Sequence, residues 1–141
     1  MNFIADVYGV NSKERTERIE KYASEFEILD RLGDLISSFS HGMKQKLAII
    51  SALVHSPKLL ILDEPFVGLD PKASLKLKEL MRERCADGGA IFFSTHVLEV
   101  AEKLCNKIAI IKGGKLIVSG NTDELTQEKS LEGVFMEVVD V

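Results

Sequence analysis

Cysteine and long apolar runs are scarce in this sequence of 141 residues. The two cysteines, Cys85 and Cys105, fall in helix-like segments, which argues against a disulfide scaffold and favours reduced thiols in the cytosol. Neither Cys-x-x-Cys nor His-x-x-x-His spacing occurs, so a metal site of that kind is not expected. No apolar run approaches the roughly 18 residues that span a bilayer, and the N-terminus lacks the pattern of a secretion signal. Any role at a membrane would therefore depend on a partner.

Clusters of basic residues are also missing. The formal net charge is −4, and lysine and arginine form no long run. Because binding to a phosphate backbone needs clustered positive charge, nucleic acid is not expected as a partner. With 45% hydrophobic residues, the chain can bury one modest core.

A loop of the form Gly-x-x-x-x-Gly-Lys-Ser/Thr, which cradles nucleotide phosphates, does not occur. The nearest match is Gly113-Gly114-Lys115, but Leu116 replaces the hydroxyl residue and Ala109 replaces the first glycine. Apolar stretches flank the two glycines on both sides. The pattern predicts a hairpin turn between antiparallel strands at the edge of a sheet.

Apolar spacing predicts helices in the first part of the chain. Before residue 40, the residues that recur at helical spacing are Ile19, Tyr22, Ala23 and Phe26. A second helical pattern runs from Ser40 to Val54, with Leu47 among its apolar positions, and its broad apolarity predicts that most of it is buried.

Two short apolar runs predict strands that helices cover on both faces. These runs are Leu59–Leu62 and Ala90–Thr95. Between them, Asp70-Pro71 is typical of a helix start, with Ala73, Leu77, Leu80 and Met81 facing inward. A helix over Val97–Leu104 follows the second strand. The alternation predicts an α/β fold with parallel strands.

The last part of the chain predicts a short terminal helix. Ser130 is its expected cap, and its apolar positions are Leu131, Val134, Phe135 and Val138. There is no internal repeat and no low-complexity tract.

Two carboxylates, Asp63 and Glu64, follow the first predicted strand. Ligands of open α/β sheets bind beyond the carboxyl ends of parallel strands. One carboxylate there could hold a hydrated Mg²⁺ while the other orients or deprotonates a water for phosphoryl transfer. The alternative is a strand end with two solvated acids. His96 follows the second strand, where it could bind a phosphate or simply pack against the backbone.

Two turns at predicted helix starts also allow a functional and a structural interpretation. Ser40-His41-Gly42 could form an anion site at a helix N-terminus, or Ser40 could only cap the helix. Gly68-Leu69-Asp70 could likewise be a turn followed by a capping aspartate.

These motifs occur in one order, and together they resemble the ATP-binding subunit of an ABC transporter. Phe39–Met43 resembles the family signature, and Leu59–Glu64 resembles the Walker B strand with its catalytic glutamate. Gly68–Asp70 resembles the D-loop, and His96 resembles the switch histidine. The resemblance covers essentially the whole chain, and the tail at 131–135 is similar to that of bacterial drug and ion exporters.

The resemblance implies a partial P-loop NTPase fold of the α/β class, with an α-helical signature lobe, parallel core strands and a C-terminal antiparallel hairpin. In this family, two ATPase domains sandwich two ATP molecules with Mg²⁺. By resemblance, Asp63 would hold Mg²⁺ through water, and Glu64 and His96 would be catalytic in the subunit's own site. The residues that would face the ATP of the opposite subunit are Ser40, His41, Gly42 and Met43 of the signature, together with Gly68, Leu69 and Asp70 of the D-loop.

The resemblance also implies partners and a location. The partners are a second ABC ATPase subunit, identical or different, and integral membrane permease subunits. The chain would be cytoplasmic and peripheral on the inner face of the cell membrane. The sequence does not identify the cargo, because in this family the membrane subunits choose it.

The phosphate loop of such subunits would lie upstream of Met1. We therefore expect residues 1–141 to be the C-terminal portion of one ABC ATPase domain, with a helical lobe at 1–56, a catalytic core at 57–120 and terminal helices at 121–141. We expect the chain alone to bind ATP poorly and not to hydrolyse it, and to expose an unpaired apolar sheet edge that promotes association.

One alternative is a non-catalytic partner that lends its signature and D-loop in trans to a complete ATPase subunit. Another is a head fragment of a non-transport ABC ATPase.

Overall fold

The computed structural model describes residues 1–139 and divides the chain into two units. The first unit is Met1–Ser94, and the second begins at Thr95. The last two residues of the predicted 121–141 segment lie outside the described residues.

The first unit contains four α-helices, two 3-10 turns and two strands. In chain order these are α1 (Asn2–Val7), α2 (Ser12–Glu25), the 3-10 turns Leu29–Arg31 and Ile36–Ser38, α3 (His41–Leu53), β1 (Leu59–Leu62), α4 (Pro71–Ala86) and β2 (Ala90–Phe93).

Helix α2 buries the face that the sequence predicts. Ile19, Tyr22 and Ala23 are buried, and Phe26 is buried directly after the helix. Arg18 donates hydrogen bonds to Glu14 at 3.2 Å and to the carbonyl oxygen of Val54 at 3.0 Å. The second bond joins α2 to the end of α3, because Val54 is the C-cap residue of α3.

Helix α3 is less completely buried than its apolar sequence predicts. Its buried residues are Lys46, Ile49, Ile50 and Leu53, whereas Leu47 is half-buried at a surface groove. The difference arises because the helix packs along one stripe only. A lysine occupies one position of that stripe.

Strands β1 and β2 pair in parallel, with Leu59 opposite Ala90 and Leu62 opposite Phe93. The predicted parallel pairing is confirmed, but the prediction that both faces are covered is wrong. Leu60 is 5% exposed, whereas Ile61 is 68% exposed. Helix α4 contacts β2 and buries all four of its predicted inward residues. No described element covers the other face, which we call the open sheet face and which consists of Leu59, Ile61 and Phe92.

The described part of the second unit, residues 95–139, contains three helices and two strands. In chain order these are α5 (Leu98–Leu104), β3 (Lys107–Lys112), β4 (Lys115–Asn121), α6 (Thr122–Leu125) and α7 (Leu131–Val139). Strands β3 and β4 form the predicted hairpin. Gly113 and Gly114 adopt φ angles of +57° and +76°, which the two-residue turn requires. The hairpin is a separate sheet rather than an edge of the β1–β2 sheet, contrary to the prediction.

The core of the second unit consists of Ala101, Ile110, Leu131 and Val134. Ser130 caps α7 as predicted, because its Oγ accepts a hydrogen bond from the N–H of Gly133 at 3.3 Å. The N–H of Leu131 donates to a carboxylate oxygen of Glu102 at 2.7 Å, which ties α7 to α5.

Candidate functional site

The carboxyl ends of β1 and β2 bring together Asp63, Glu64 and Ser94. The register places Leu62 beside Phe93, so the residues that follow each strand leave the sheet side by side. The N–H of Ser94 continues the ladder by donating to the carbonyl oxygen of Leu62 at 3.0 Å. Both predicted carboxylates therefore lie at the edge where open α/β sheets bind ligands.

The Ser94 hydroxyl connects the two acidic residues. Its Oγ donates to Oδ1 of Asp63 and accepts a hydrogen bond from the N–H of Glu64 at 3.0 Å. One hydroxyl thereby fixes the Asp63 side chain and the Glu64 backbone relative to each other. Asp63 is exposed to solvent, and Glu64 is half-buried.

Glu64 adopts a backbone conformation that is uncommon for a residue with a side chain. Its φ angle is +44°, in the left-handed region. The Ser94 hydroxyl holds the Glu64 N–H in this position. Backbone strain of this kind persists only where the surroundings enforce it, and it concentrates at functional sites.

The chain after Glu64 folds into a tight turn that leads to α4. The N–H of Val67 donates to the carbonyl oxygen of Glu64 at 3.1 Å, and Gly68 adopts a φ angle of +80°. Asp70 then caps α4, because its Oδ1 accepts from the N–H of Ala73 at 2.9 Å. Gly68-Leu69-Asp70 therefore forms a turn that is followed by a capping aspartate.

Ser40 caps α3 in the same way. Its Oγ accepts a hydrogen bond from the N–H of Met43 at 3.2 Å, while the residue itself is exposed. The hydroxyl therefore stands at the positive end of the α3 dipole, where anions are favoured.

The two turns are in direct contact. A Cβ atom added at Gly42 would lie 2.6 Å from the carbonyl oxygen of Gly68. A Cβ atom at Gly68 would lie 2.5 Å from Cδ2 of His41. The Gly68 oxygen is a backbone atom, so the approach of the Ser40–Met43 segment to the Gly68–Asp70 segment requires glycine at position 42, while the φ angle of +80° favours glycine at position 68.

Two polar contacts follow along α3. Nε2 of Gln45 donates to the carbonyl oxygen of Pro65 at 3.3 Å. Nζ of Lys46 lies 2.7 Å from Oδ2 of Asp70. The hydrogen bond from Lys46, followed by the hydrogen bond from the Ala73 backbone, holds the pKa of the Asp70 carboxyl below its usual value.

The remaining predicted residues occupy different places. His41, Leu69 and Met43 lie in or beside the contacting turns, whereas His96 belongs to the second unit, in the turn before α5. In that turn the Thr95 hydroxyl accepts from the N–H of Val97 at 3.1 Å.

The sequence motifs gave no role in the site to three residues, Ser94, Gln45 and Lys46. A hydroxyl directly after β2 was a signal, because the parallel register places it beside the residues that follow β1. A lysine among the apolar positions of α3 was another signal, since a buried ammonium needs a partner. The partner itself, Asp70, could not be identified without the fold.

A magnesium ion at the strand end would have few protein ligands. Among residues 1–139, no three His, Cys, Asp or Glu side chains converge on one point. Mg²⁺ commonly keeps several waters and binds through one or two carboxylates plus substrate phosphates. The exposed, oriented carboxylate of Asp63 fits that mode of binding.

Helices that could cross a membrane do not occur between residues 1 and 139, since none is long and apolar enough.

Comparisons with known proteins agree with this geometry. A family model described as "AAA domain, putative AbiEii toxin, Type IV TA system" matches residues 7–102. The chain is 31% identical over 133 residues to the uncharacterized ABC transporter ATP-binding protein YthP of Bacillus subtilis, covering 94% of this chain and 56% of that protein. It is 36% identical over 128 residues to the ABC-type transporter ATP-binding protein EcsA of the same organism, covering 91% and 52%.

A solved structure of the ATP-binding subunit of an ABC transporter superposes with a TM-score of 0.93 at 36% sequence identity. The superposition covers 98% of this chain and 60% of that one. The chain spans about half the length of the curated relatives that it matches. From the motif geometry, the family model and these relatives together, the chain belongs to the ABC transporter ATP-binding proteins, which have the α/β fold of P-loop NTPases.

Proposed function

We propose that this chain forms part of an ATP-hydrolysing subunit that powers transport through a separate membrane permease. The observation that carries the proposal is the contact between the signature turn and the D-loop turn, next to a strand end that presents Asp63 and Glu64. Each of these features has a separate task in the reaction.

The residues at the strand end would take part in ATP hydrolysis. Bound Mg²⁺ neutralises phosphate charge, and Asp63 would hold it through water. Glu64 would orient or deprotonate the attacking water. Ser94 would keep the two residues in place through the hydrogen bonds described above. By resemblance, His96 would contact the γ-phosphate and steady the same water.

The two contacting turns would serve a nucleotide that another subunit holds. Ser40 and Gly42 present a hydroxyl and a helix N-terminus, which suit the negative charge of a γ-phosphate. His41 and Met43 complete that surface, and Gly68, Leu69 and Asp70 lie beside it. A second ATP-binding subunit is therefore the proposed partner, in an assembly at the cytoplasmic face of a membrane.

The phosphate loop must come from residues other than these 141, because the sequence contains no such loop. We therefore propose that the chain alone neither binds Mg-ATP with micromolar affinity nor hydrolyses it. Filter binding of labelled Mg-ATP tests this directly, and micromolar affinity of the isolated chain would contradict it.

A fusion tests the catalytic role. The part of EcsA outside the matched region, where the family resemblance places a phosphate loop, is joined upstream of Met1, and the steady-state hydrolysis of Mg-ATP is measured. The fusion should hydrolyse ATP, and Glu64→Gln should reduce kcat by about 100-fold or more, since general-base catalysis contributes about 10²–10⁴-fold. A folded fusion that is inactive, or one that Glu64→Gln leaves unchanged, would refute the assignment.

The second candidate function is a partner that lends only its signature and D-loop. The observation that favours it is that Ser40 and Asp70 are both solvent-exposed in the chain by itself. The chain would then restore hydrolysis to a complete ABC ATPase subunit whose own signature serine is replaced. Restoration that is insensitive to Glu64→Gln would favour lending over catalysis.

A further inference from the structure

Lys46 is a buried cation at the N-terminal end of an otherwise apolar stripe. Its side chain is 11% exposed, and its neighbours on the stripe are Ile49, Ile50 and Leu53. Burial of the lysine costs desolvation, and solvent weakens its attraction to Asp70, whose side chain is 47% exposed, so the pair contributes little to stability. We therefore look for the role of this lysine in fixing the position of Asp70 and not in stabilising the fold.

That partner, Asp70, uses its two carboxylate oxygens for two elements. Oδ1 accepts the hydrogen bond from the Ala73 N–H that begins α4, and Oδ2 lies 2.7 Å from Nζ of Lys46. One carboxylate thus connects the first turn of α4 to the side of α3. Movement of the D-loop would have to break one of these contacts.

Three contacts join α3 to the segment between Pro65 and Asp70. Gly42 touches Gly68, Gln45 bonds to Pro65, and Lys46 pairs with Asp70. Residues three and four apart lie on one face of a helix, so these contacts come from a single edge of α3. Helix α3 and the segment between Pro65 and Asp70 are therefore joined at three points along one edge of the helix.

We propose that Lys46 is a positioning residue that locks the D-loop to the signature turn of the same subunit, so that the two segments move as one body. The inference rests on the proposed function, in which both turns face a nucleotide held by another subunit. A fixed spacing between them would let one nucleotide engage Ser40 and the D-loop at the same time. Loss of the Lys46–Asp70 ion pair would leave the residues of both motifs intact but would change their relative position.

The first test uses the isolated chain and does not depend on ATP. Lys46→Met removes the charge and keeps an apolar side chain, Lys46→Arg keeps the charge, and Lys44→Met is a control at an exposed position of the same helix. NMR follows the amide signals of Gly42 and Gly68 and the titration of the Asp70 carboxyl.

We expect Lys46→Met to shift the signals of both glycines and to raise the pKa of Asp70 toward its usual value. Lys46→Arg and Lys44→Met should preserve both readouts. Unchanged glycine signals and an unchanged Asp70 titration in folded Lys46→Met would overturn the proposal. If Lys46→Met does not fold, Asp70→Asn takes its place, because asparagine still caps α4 while the charge is lost. If Asp70→Asn leaves the Gly42 and Gly68 signals as they are in the unsubstituted chain, the proposal is overturned.

The second test uses the EcsA fusion. Lys46→Met should lower kcat by about 10-fold to 100-fold, since small misplacements of positioning groups cost that much, while KM for ATP stays nearly constant. Lys46→Arg should recover the rate. If the unsubstituted fusion is inactive, the proposed function fails, whereas the NMR response still decides whether Lys46 holds the two turns together. An active fusion whose kcat Lys46→Met does not change would overturn the positioning role.

Discussion

At the scale of single residues, two glycines determine how closely the signature turn approaches the D-loop. A side chain at Gly42 would meet the backbone oxygen of Gly68, which cannot move without moving the turn. A side chain at Gly68 would meet the ring of His41, which is exposed and can rotate away. Gly42 is therefore the more demanding of the two positions.

Gly42→Ala should destabilise the chain although alanine is the better helix former. The helix preference alone would favour alanine by about 0.5–1 kcal/mol, but the clash with Gly68 should cost about 1–3 kcal/mol. Urea unfolding measures the difference. Gly33→Ala is the matched control, because nothing lies within 4 Å of the added Cβ atom and Gly33 does not need positive φ. A Gly42→Ala variant that is more stable than the unsubstituted chain, as the helix preference alone would make it, would show that the two turns are not in contact.

The residue types in the sequence indicated which carboxylates follow β1 and which residues cap the helices. They did not indicate which distant side chains contact these residues. Ser40 and Asp70 were predictable as caps because a capping bond is local, reaching only the third residue ahead. The Lys46–Asp70 and Ser94–Asp63 contacts join residues far apart in the chain, so only the fold reveals them.

At the scale of elements, α1 is held against the end of α3 by a small cluster. Ala5, Ile19 and Val54 are buried together, and the Tyr8 ring stacks on the His55 ring with centroids 3.8 Å apart. Burial holds the pKa of His55 below its usual value, and the Arg84 charge acts in the same direction.

Acidification should weaken this cluster. Because the pKa of His55 is lower in the folded chain than in the unfolded one, the folded chain binds fewer protons. Its stability therefore falls as pH drops through the usual histidine value of about 6.5. Unfolding free energies at pH 7.5 and pH 5.5 should differ by less in His55→Gln than in the unsubstituted chain. An equal difference in both would show that His55 does not carry the effect.

Elements with local signals were predicted correctly. Helix α4 begins at Asp70-Pro71 and the hairpin turns at Gly113-Gly114, as the residue types require. The coverage of β1 and β2 was predicted wrongly, because an apolar run shows that a strand can be buried on both faces but not that a covering element is present.

At the scale of the whole molecule, the open sheet face is an apolar surface of the first unit that no described element of that unit covers. Leu59, Ile61 and Phe92 are 55%, 68% and 64% exposed. Strands with open apolar edges and faces tend to associate.

The isolated chain should therefore self-associate, and Ile61→Lys should reduce the association. Light scattering as a function of concentration measures it. Leu75→Lys on α4 is the matched control, because Leu75 is 57% exposed but lies away from the sheet. A monomeric unsubstituted chain, or an equal effect of both substitutions, would contradict the role of the open sheet face.

In the proposed function, the strand end acts in one nucleotide site, while the signature and D-loop of the same chain act in another. Two variants of the EcsA fusion, Ser40→Arg and Glu64→Gln, test it by co-expression and measurement of Mg-ATP hydrolysis. Each variant alone should be inactive, because every site contains one defective element. The mixed dimer should regain activity, because one of its sites combines the intact Glu64 of one subunit with the intact Ser40 of the other. A mixture as inactive as either variant alone would show that Glu64 and Ser40 of one chain do not act in separate sites.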